Sequence, residues 1–157
     1  MYYIGFGFDV HKFTARKKYI LLGGVKINCG FGVIAVSDGD VVLHAVCDAI
    51  LGAASLGDIG DYFPPAEYKS KGLKSIDIVE FVVKKTKDIF RINNIDITIV
   101  ADKPPLSSYK SRIVKSMNNL FQVGNINIKI KSKEGLDILG SNNAISCFAA
   151  ALLVKNS

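Results

Sequence analysis

The stretch "GFGFDVHKF", Gly5–Phe13, contains Gly-x-Gly, which occurs in nucleotide-binding loops, and Asp-x-His, which occurs in metal sites. A dinucleotide-binding fingerprint needs a third glycine, three residues after the second, where a helix begins. Val10 occupies that position, and no helical pattern follows it. We therefore expect Gly5 and Gly7 to mark a close backbone approach within a strand rather than a nucleotide site.

The second half of the stretch predicts a metal site. Asp9 and His11 are two residues apart in a strand, so their side chains point to the same face, ~7 Å apart along the strand. The other histidine of the chain, His44, falls on a predicted helix with Asp40 and Asp48 one turn to either side. A helix packed on the sheet would complete a His₂Asp set with one open position, as in catalytic zinc sites, and Asp40 or Asp48 could orient His44. The alternative is that both histidines are simply packed side chains.

The segments around this stretch predict strands and helices along the rest of the chain. Alternating apolar runs predict strands at 2–10, at two short segments within 19–27 joined by a Gly-Gly turn, at 95–100 and at 126–131. Helical spacing predicts a helix of about 16 residues from Ser37, ended by Gly57, and further helices at 75–90, 108–121 and 144–154. Glycine, proline and polar residues predict loops at 57–72, 102–108 and 134–143. This order predicts an α/β or α+β sandwich, with one mixed sheet backed by helices.

Composition limits the class of protein. The chain has 157 residues, of which 49% are hydrophobic and 22% charged, as expected for one globular domain with a sizeable core. Its net charge of +6 comes mainly from dispersed lysines, which permits an acidic small-molecule ligand but predicts no nucleic-acid groove. No apolar run reaches the ~18 residues of a membrane span. Cys29, Cys47 and Cys147 form no CxxC motif, which favours reduced, buried thiols and a cytoplasmic location.

Five segments, in order along nearly the whole chain, resemble one enzyme family. They are IGFGFDVHKF (4–13), LLGGVKI (21–27), SDGDVVLHAVCDAILGAASLGDIGDYFP (37–64), IDITIVADKP (95–104) and INIKIKSKEGL (126–136). The chain resembles the 2-C-methyl-D-erythritol 2,4-cyclodiphosphate synthases of non-mevalonate isoprenoid biosynthesis. The resemblance implies a metal-dependent phosphorus–oxygen lyase with a single catalytic domain over residues 1–157. It also implies a homotrimer with active sites between neighbouring subunits.

The reaction implied by the resemblance joins two phosphates of one molecule. The substrate would be 4-diphosphocytidyl-2-C-methyl-D-erythritol 2-phosphate, whose 2-phosphate attacks the sugar-side phosphorus of the diphosphate, so that CMP leaves and a cyclic diphosphate forms. Because one anion approaches another, bound cations would offset the repulsion, and intramolecular positioning would supply much of the rest. No nucleophilic side chain and no strong general base is needed.

The resemblance further implies roles for individual residues. Zinc, or another divalent ion, would be held by Asp9, His11 and His44, and a second ion, Mg²⁺ or Mn²⁺, by Glu134 and the substrate phosphates. The implied catalytic residues are Ser37, Ser132 and Glu134. The implied substrate-binding residues are Asp9, His11, Val36, Ser37, Asp58, Ile59, Gly60, Phe63, Ala101, Asp102, Lys103, Pro104, Pro105, Leu106, Lys131, Ser132 and Glu134.

Within that set, the resemblance assigns each group to a part of the substrate. Asp58, Ile59 and Gly60 would bind the erythritol portion with Phe63 beside it, and Ser37 would touch a phosphate near the zinc. Backbone groups of Ala101–Leu106 would hold the cytosine bound to the adjacent subunit. Simpler alternatives stay open, since Gly57 and Gly60 would also suit turns, and Ser37 would also suit a helix N-cap.

The chain departs from the family at several phosphate-positioning places. Val36 stands where the family usually has a histidine donor, and Lys131 and Ser132 stand where it has two threonines. The other departures are Pro65 for an aspartate, Pro105 for a lysine, and Ser141 and Asn143 for an arginine and a glutamate that line the trimer axis. They support a second hypothesis, a catalytically weakened metal-binding trimer that acts as an interaction or scaffold protein. A zinc hydrolase is a third hypothesis, with little support because no general base accompanies the metal set.

Overall fold

A five-stranded mixed sheet and a separate two-stranded hairpin make up the strands of the computed structural model, which describes residues 1–64, 66, 72–137 and 143–156. The strands are β1 (Tyr2–Thr14), β2 (Tyr19–Leu22), β3 (Val25–Asn28), β4 (Gly32–Val33), β5 (Phe90–Val100), β6 (Ile126–Lys131) and β7 (Ala144–Lys155). The sheet order is β4-β1-β7-β5-β6, and β2 pairs with β3 in the hairpin. Only β5 and β6 run parallel among these pairs.

Four helices accompany the sheet in the described part of the chain. They are α1 (Val41–Ala53), α2 (Ile59–Tyr62), α3 (Ser75–Thr86) and α4 (Lys110–Phe121), with a 3-10 turn at Ser107–Tyr109 before α4. Helix α1 packs on β1 and β7, and α3 packs on α1. The predicted α+β class and the predicted sheet with helices behind it are confirmed. In this part of the chain no helix combines the length and the apolar composition that crossing a membrane requires.

The segment Ala144–Val154, predicted as a helix, is the central strand β7. Ile145 and Leu153 belong to its inner row, which is buried in the core, whereas Phe148 and Leu152 belong to the outer row and are half-buried. Apolar residues fill both rows, so the polar–apolar alternation that identifies a strand is missing. The alanines also have a high intrinsic helix propensity, which tertiary pairing with β1 and β5 overrides.

The first helix is shorter than predicted. It has 13 residues and begins after Asp40, whose carboxylate accepts hydrogen bonds from the backbone N–H groups of Val42 and Leu43. It ends at Ala53, so Gly57 does not cap it but lies in the following turn with φ +78°. Since Asp40 is the N-cap, the alternative that Ser37 serves only as a cap is wrong.

The second predicted helix ends early, and the strand after it begins early. Helix α3 ends at Thr86, and β5 covers 11 residues from Phe90 instead of the predicted segment from Ile95. An irregularity between Ile92 and Asn94 interrupts the alternation, which hides the first half of the strand from pattern recognition. Helix α2 lies inside the predicted loop 57–72. Strand β6 and helix α4 lie where the sequence predicts them.

The glycines of β1 set the distance between the sheet and α1. A Cβ atom on Gly5 would lie 1.8 Å from the carbonyl oxygen of Ala49, and one on Gly7 would lie 1.9 Å from that of Ala45. No side chain fits in this space, so the interpretation of both glycines as sites of close backbone approach is confirmed. The helix backbone therefore rests directly on the strand that carries Asp9.

The three cysteines have free thiols. Cys47 and Cys147 are buried, and burial raises the pKa of both thiols well above the ordinary value. Cys29 is only half-buried, so the expectation that all three are buried is wrong for this residue.

Candidate active site

Three potential metal ligands converge between β1 and α1. The pleat of β1 turns Asp9 and His11 to the same face, and α1 brings His44 over them, so that one donor atom from each lies within 4.8 Å of the others. Asp9 Oδ2 is 3.0 Å from His44 Nδ1 and 3.3 Å from His11 Nε2. His11 Nε2 is buried without a hydrogen-bond partner in the part of the chain that the structure describes, which leaves a polar atom that a cation would satisfy. Two imidazole nitrogens and one carboxylate oxygen can hold a divalent metal ion.

Asp9 and His44 each favour the ionised form of the other. Burial alone would raise the pKa of the Asp9 carboxyl, but the imidazoles of His11 and His44 outweigh it and hold that pKa well below its usual value. Burial alone would lower the pKa of His44, but the nearby carboxylates, with Asp9 first, raise it above its usual value. A carboxylate that stays ionised is the form that binds a cation.

The partners of His44 on its other side are not the ones the sequence predicts. His44 Nε2 lies 2.9 Å from Ser75 Oγ and 3.4 Å from Ser37 Oγ. Asp40 instead accepts hydrogen bonds from the N–H groups of Gly23 and Gly24, at 2.9 and 2.7 Å, in addition to capping α1. The prediction that Asp40 orients His44 is therefore wrong.

Asp48, the other predicted partner of His44, also has a different role. Its Oδ1 accepts a hydrogen bond from the backbone N–H of Ile59 at 2.8 Å, so it anchors the start of α2 to α1. Burial raises the pKa of the Asp48 carboxyl, and the charges of Asp58 and Asp9 add to this rise. The prediction that Asp48 orients His44 is wrong as well.

A cavity of about 200 Å³ opens beside the three potential ligands. Most of its lining is apolar, and it collects residues from β1, α1, α2 and α3 and from the segments between them. Its lining residues are His11, Val36, Ser37, His44, Ile59, Gly60, Phe63, Leu73 and Ile78. Seven of these are predicted site residues, whereas Leu73 and Ile78 were missed because nothing distinguishes them from core residues in the sequence.

A short capped helix presents Ile59 and Gly60 to the cavity. Asp58 accepts a hydrogen bond from the N–H of Asp61, and the Asp61 carboxylate accepts one from the N–H of Asp58, which forms a capping box. Gly60 lies within this helix and lines the cavity, so it is not a turn residue only. The N–H of Ile59 donates to Asp48 and is therefore not free to bind a ligand. Ile59 also lines the cavity.

The remaining predicted site residues lie at the ends of the parallel strands β5 and β6. The two segments are joined by a hydrogen bond from Ala101 N–H to the Lys131 carbonyl at 3.0 Å and by one from Lys133 N–H to Asp102 Oδ1 at 2.8 Å. The Ser132 hydroxyl donates to the Glu134 carboxylate. Among the described residues, the cavity lining includes neither of these segments, 101–106 and 131–134.

Within the first of those segments, the side chains are divided between core and solvent. Ala101, Pro104 and Leu106 are buried, whereas Asp102, Lys103 and Pro105 are exposed. The buried side chains leave only backbone groups of their residues for a ligand, as the resemblance implies for a cytosine pocket. Two of the departures from the family, Pro65 and Ser141, lie outside the described residues.

Comparisons with known proteins agree with this geometry. The sequence pattern of the YgbB family matches residues 2–154. A 2-C-methyl-D-erythritol 2,4-cyclodiphosphate synthase of Clostridium acetobutylicum is 44% identical over 154 residues, 96% of this chain and 99% of that protein. A bifunctional enzyme IspD/IspF of Pelagibacter ubique is 43% identical over 155 residues, but the chain covers only 42% of that protein.

Solved structures give the same result for the fold. A structure of IspF from Plasmodium falciparum in complex with CDP is similar with a TM-score of 0.85 and 34% identity, over 99% of this chain and 97% of that chain. The bifunctional IspDF from Campylobacter jejuni is similar with a TM-score of 0.92 and 34% identity, over all of this chain and 43% of that chain.

Proposed function

The chain belongs to the YgbB family, and we propose that it converts 4-diphosphocytidyl-2-C-methyl-D-erythritol 2-phosphate into 2-C-methyl-D-erythritol 2,4-cyclodiphosphate and CMP. The observation that carries this proposal is the Asp9, His11 and His44 donor set at the edge of a cavity that also contains Ser37 and Gly60. Such a set beside an open cavity suits phosphate chemistry, in which charge neutralisation and positioning are the main requirements. The whole of 1–157 acts as a single catalytic domain.

The reaction needs one bond to form and one to break. An oxygen of the 2-phosphate bonds to the sugar-side phosphorus of the diphosphate, and the bond from that phosphorus to the bridging oxygen breaks, so CMP leaves with the electron pair. A divalent ion held by Asp9, His11 and His44, which we assign as zinc, supplies positive charge to the phosphate oxygens when bound. No proton has to be removed from a carbon or a hydroxyl. Apart from the two potential metal ligands His11 and His44, the described part of the cavity lining holds no candidate general base, in agreement with this requirement.

We assign the rest of the substrate to residues that line the cavity and to Asp58 beside them. The Asp58 carboxylate and the backbone of Gly60 serve the erythritol hydroxyls, and Phe63 covers the carbon skeleton. Ser37 Oγ lies 3.4 Å from His44 Nε2, so its hydroxyl is close enough to the metal ligands to donate to a phosphate oxygen there. Because the N–H of Ile59 is bonded to Asp48, Ile59 contributes its side chain only.

The second ion and the cytosine require a neighbouring subunit. We infer a homotrimer from the resemblance to the family. An exposed apolar face of β1, which points away from the helices, supports an interface between chains, with Ile4 77% and Phe6 66% accessible. Phe8 continues this face and packs on Phe148 of β7, with ring centres 4.9 Å apart. A contiguous apolar face of this kind marks a protein–protein interface. Glu134, with Ser132, then offers Mg²⁺ or Mn²⁺ a carboxylate, and Ala101–Leu106 offers cytosine its backbone groups, at the boundary between subunits.

The alternative is a catalytically weakened metal-binding trimer that acts as a scaffold. Val36 favours it, because it places an apolar side chain in the cavity lining where the family usually has a histidine donor. Lys131, exposed next to Ser132, adds a positive charge where the family has a threonine, and full activity would require that it compensates for the donor lost at Val36. Catalytic rate is therefore the quantity that separates the two functions.

The test is turnover of the diphosphocytidyl substrate by purified protein supplied with zinc and magnesium. We expect release of CMP and formation of the cyclic diphosphate, seen by ³¹P NMR, and loss of both after chelation. The variant His44→Ala should lose stoichiometric zinc and activity, whereas Thr86→Val, which removes a buried hydroxyl of α3 bonded only within that helix, should keep both. If a zinc-loaded wild-type trimer releases no CMP above background, the synthase function is rejected and the scaffold function is favoured. Linear hydrolysis products would instead support a zinc hydrolase.

A further inference from the structure

A chain of hydrogen bonds leads from His44 away from the potential metal site. His44 Nε2 lies 2.9 Å from Ser75 Oγ, and the Ser75 hydroxyl donates to Asp38 Oδ1. The other oxygen of Asp38 accepts a hydrogen bond from the backbone N–H of Ser75 at 3.0 Å. Ser75 is fully buried and His44 is 7% accessible, so the contact between them is shielded from water, whereas Asp38 is half-buried.

The chemistry of Asp38 fixes the direction of this chain. An ionised carboxylate only accepts hydrogen bonds, so both contacts from Ser75 are donations to Asp38. With its hydrogen committed, the Ser75 oxygen faces His44 as an acceptor, and His44 Nε2 must carry a hydrogen. The other ring nitrogen, Nδ1, is the one that lies 3.0 Å from Asp9 Oδ2, on the side of His11.

We propose that Ser75 and Asp38 are positioning residues of the metal centre, which hold the His44 ring with Nδ1 as the nitrogen that binds the ion. This inference rests on the proposed metal site. An imidazole ligand whose second nitrogen donates to a fixed acceptor is held in one tautomer and one orientation, which strengthens metal binding. Neither Ser75 nor Asp38 touches the substrate in this role.

Ser37 does not provide the same restraint. Its oxygen lies farther from His44 Nε2, at 3.4 Å, and already accepts a hydrogen bond from the N–H of Gly39 at 3.2 Å. Ser75 is also tied to the fold in a way that Ser37 is not. It is the first residue of α3, whose N-cap residue Lys74 makes no side-chain capping bond, so Asp38 takes the place of the cap. The start of α3 and the orientation of His44 are thus set by the same carboxylate.

The test is the zinc affinity of Ser75→Ala, measured by competition with a chromophoric chelator. We expect zinc to bind about 10–100-fold more weakly than to the wild type. Thr86→Val is the matched control, because it removes another buried hydroxyl from the same helix, and its zinc affinity should stay unchanged. Asp38→Asn should weaken zinc binding in the same direction, and Ser75→Thr, which keeps the hydroxyl, should restore much of the affinity.

A second readout does not depend on bound metal. In ¹⁵N-histidine NMR spectra of the metal-free wild type, the Nε2–H of His44 should be a slowly exchanging, hydrogen-bonded proton, whether or not Nδ1 also carries a hydrogen toward Asp9, and Ser75→Ala should lose this protection. Unchanged zinc affinity in a folded Ser75→Ala protein, or a wild-type His44 without a hydrogen on Nε2, would overturn the inference. A lower unfolding temperature with wild-type zinc affinity would show a structural role only and overturn it as well. If the wild type binds no zinc, the proposed metal site fails, and the NMR result still decides the role of Ser75.

Discussion

A Cβ atom on Gly7 of β1 would lie 1.9 Å from the carbonyl oxygen of Ala45 in α1. The backbones of the strand and the helix are thus in direct contact at this point. His44 precedes Ala45 in the helix, and Asp9 follows Gly7 by two residues in the strand. The glycine therefore sets the distance between two of the potential metal ligands.

Gly7→Ala should both destabilise the protein and weaken metal binding. The added methyl group meets backbone atoms that cannot rotate away, so α1 must move, at a cost of roughly 1–3 kcal/mol or more in the free energy of unfolding. Urea unfolding and zinc titration measure the two effects. Gly52→Ala is the control on α1, because a Cβ atom there meets nothing within 4 Å. It should raise the free energy of unfolding by about 0.5–1 kcal/mol and leave zinc affinity unchanged. Wild-type stability of Gly7→Ala would show that the contact can relax.

Phe6→Asp should dissociate the proposed trimer. It places a charge on the exposed face of β1, where Phe6 is 66% accessible in the single chain and would be covered in the assembly. Sedimentation equilibrium should give the mass of one chain, with loss of activity if sites lie between subunits. Ile89→Asp is the control, because Ile89 is 47% exposed in the segment between α3 and β5 and does not belong to the row of β1 side chains that forms this face. The variant should remain trimeric. A trimeric Phe6→Asp protein would place the interface elsewhere.

Val36→His should raise the rate of CMP release. Val36 lines the cavity and is 46% exposed, so a histidine can be accommodated and can donate to a phosphate. One positioned donor contributes on the order of 10² in rate, which sets the largest gain to expect. Its backbone carbonyl accepts a hydrogen bond from Gly72 N–H at 2.9 Å, which the substitution preserves. Val36→Ala, which adds no donor, should show no gain. An unchanged kcat in Val36→His would mean that Lys131 or another donor already fulfils this role.

Asp48→Asn should stabilise the metal-free protein at neutral pH. Burial raises the pKa of Asp48 above 3.8, so the folded protein binds more protons than the unfolded chain, and stability falls as pH rises through that range. Asparagine removes the charge and can still accept the hydrogen bond of Ile59. Unfolding temperatures measured from pH 3 to pH 7 should show a gain that is present at pH 7 and absent below the ordinary pKa.

Asp96→Asn should change the stability at neutral pH in the opposite direction to Asp48→Asn. Hydrogen bonds from Lys129 and Asn127 lower the pKa of Asp96, so its ionised form stabilises the fold above the ordinary pKa of 3.8, and this contribution is lost as pH falls through the lowered pKa. Asp96→Asn should therefore be less stable than the wild type at pH 7. For the earlier variant Asp48→Asn, a lower stability than the wild type at pH 7 would contradict the statement that burial disfavours the ionised Asp48 carboxylate.

Local sequence was sufficient for several parts of the site. The two-residue period of a strand places Asp9 and His11 on one face, and Gly5 and Gly7 have no other use in a strand than close approach. The positions of α4 and β6 could also be predicted from the sequence, because each element has one buried and one exposed side, which gives a clear apolar periodicity. These features depend only on backbone periodicity and on the size of single residues.

Other parts depended on contacts between distant segments. Strand β7 has apolar residues on both faces, so only its pairing with β1 and β5 makes it a strand. Asp40 and Asp48 have the spacing to reach His44. Their carboxylates instead accept hydrogen bonds from backbone N–H groups, Asp40 from those of Gly23 and Gly24 and Asp48 from that of Ile59.

The sequence by itself indicated the three potential metal ligands, the strand face that presents two of them, and the glycines that admit the helix. The tertiary structure alone decided what holds the third ligand. Ser75 lies 31 residues from His44, and Asp38 lies 37 from Ser75, beyond any local periodicity. The physical reason is that a buried polar atom takes the nearest partner in space, and the packing of α3 against α1 determines which residue that is.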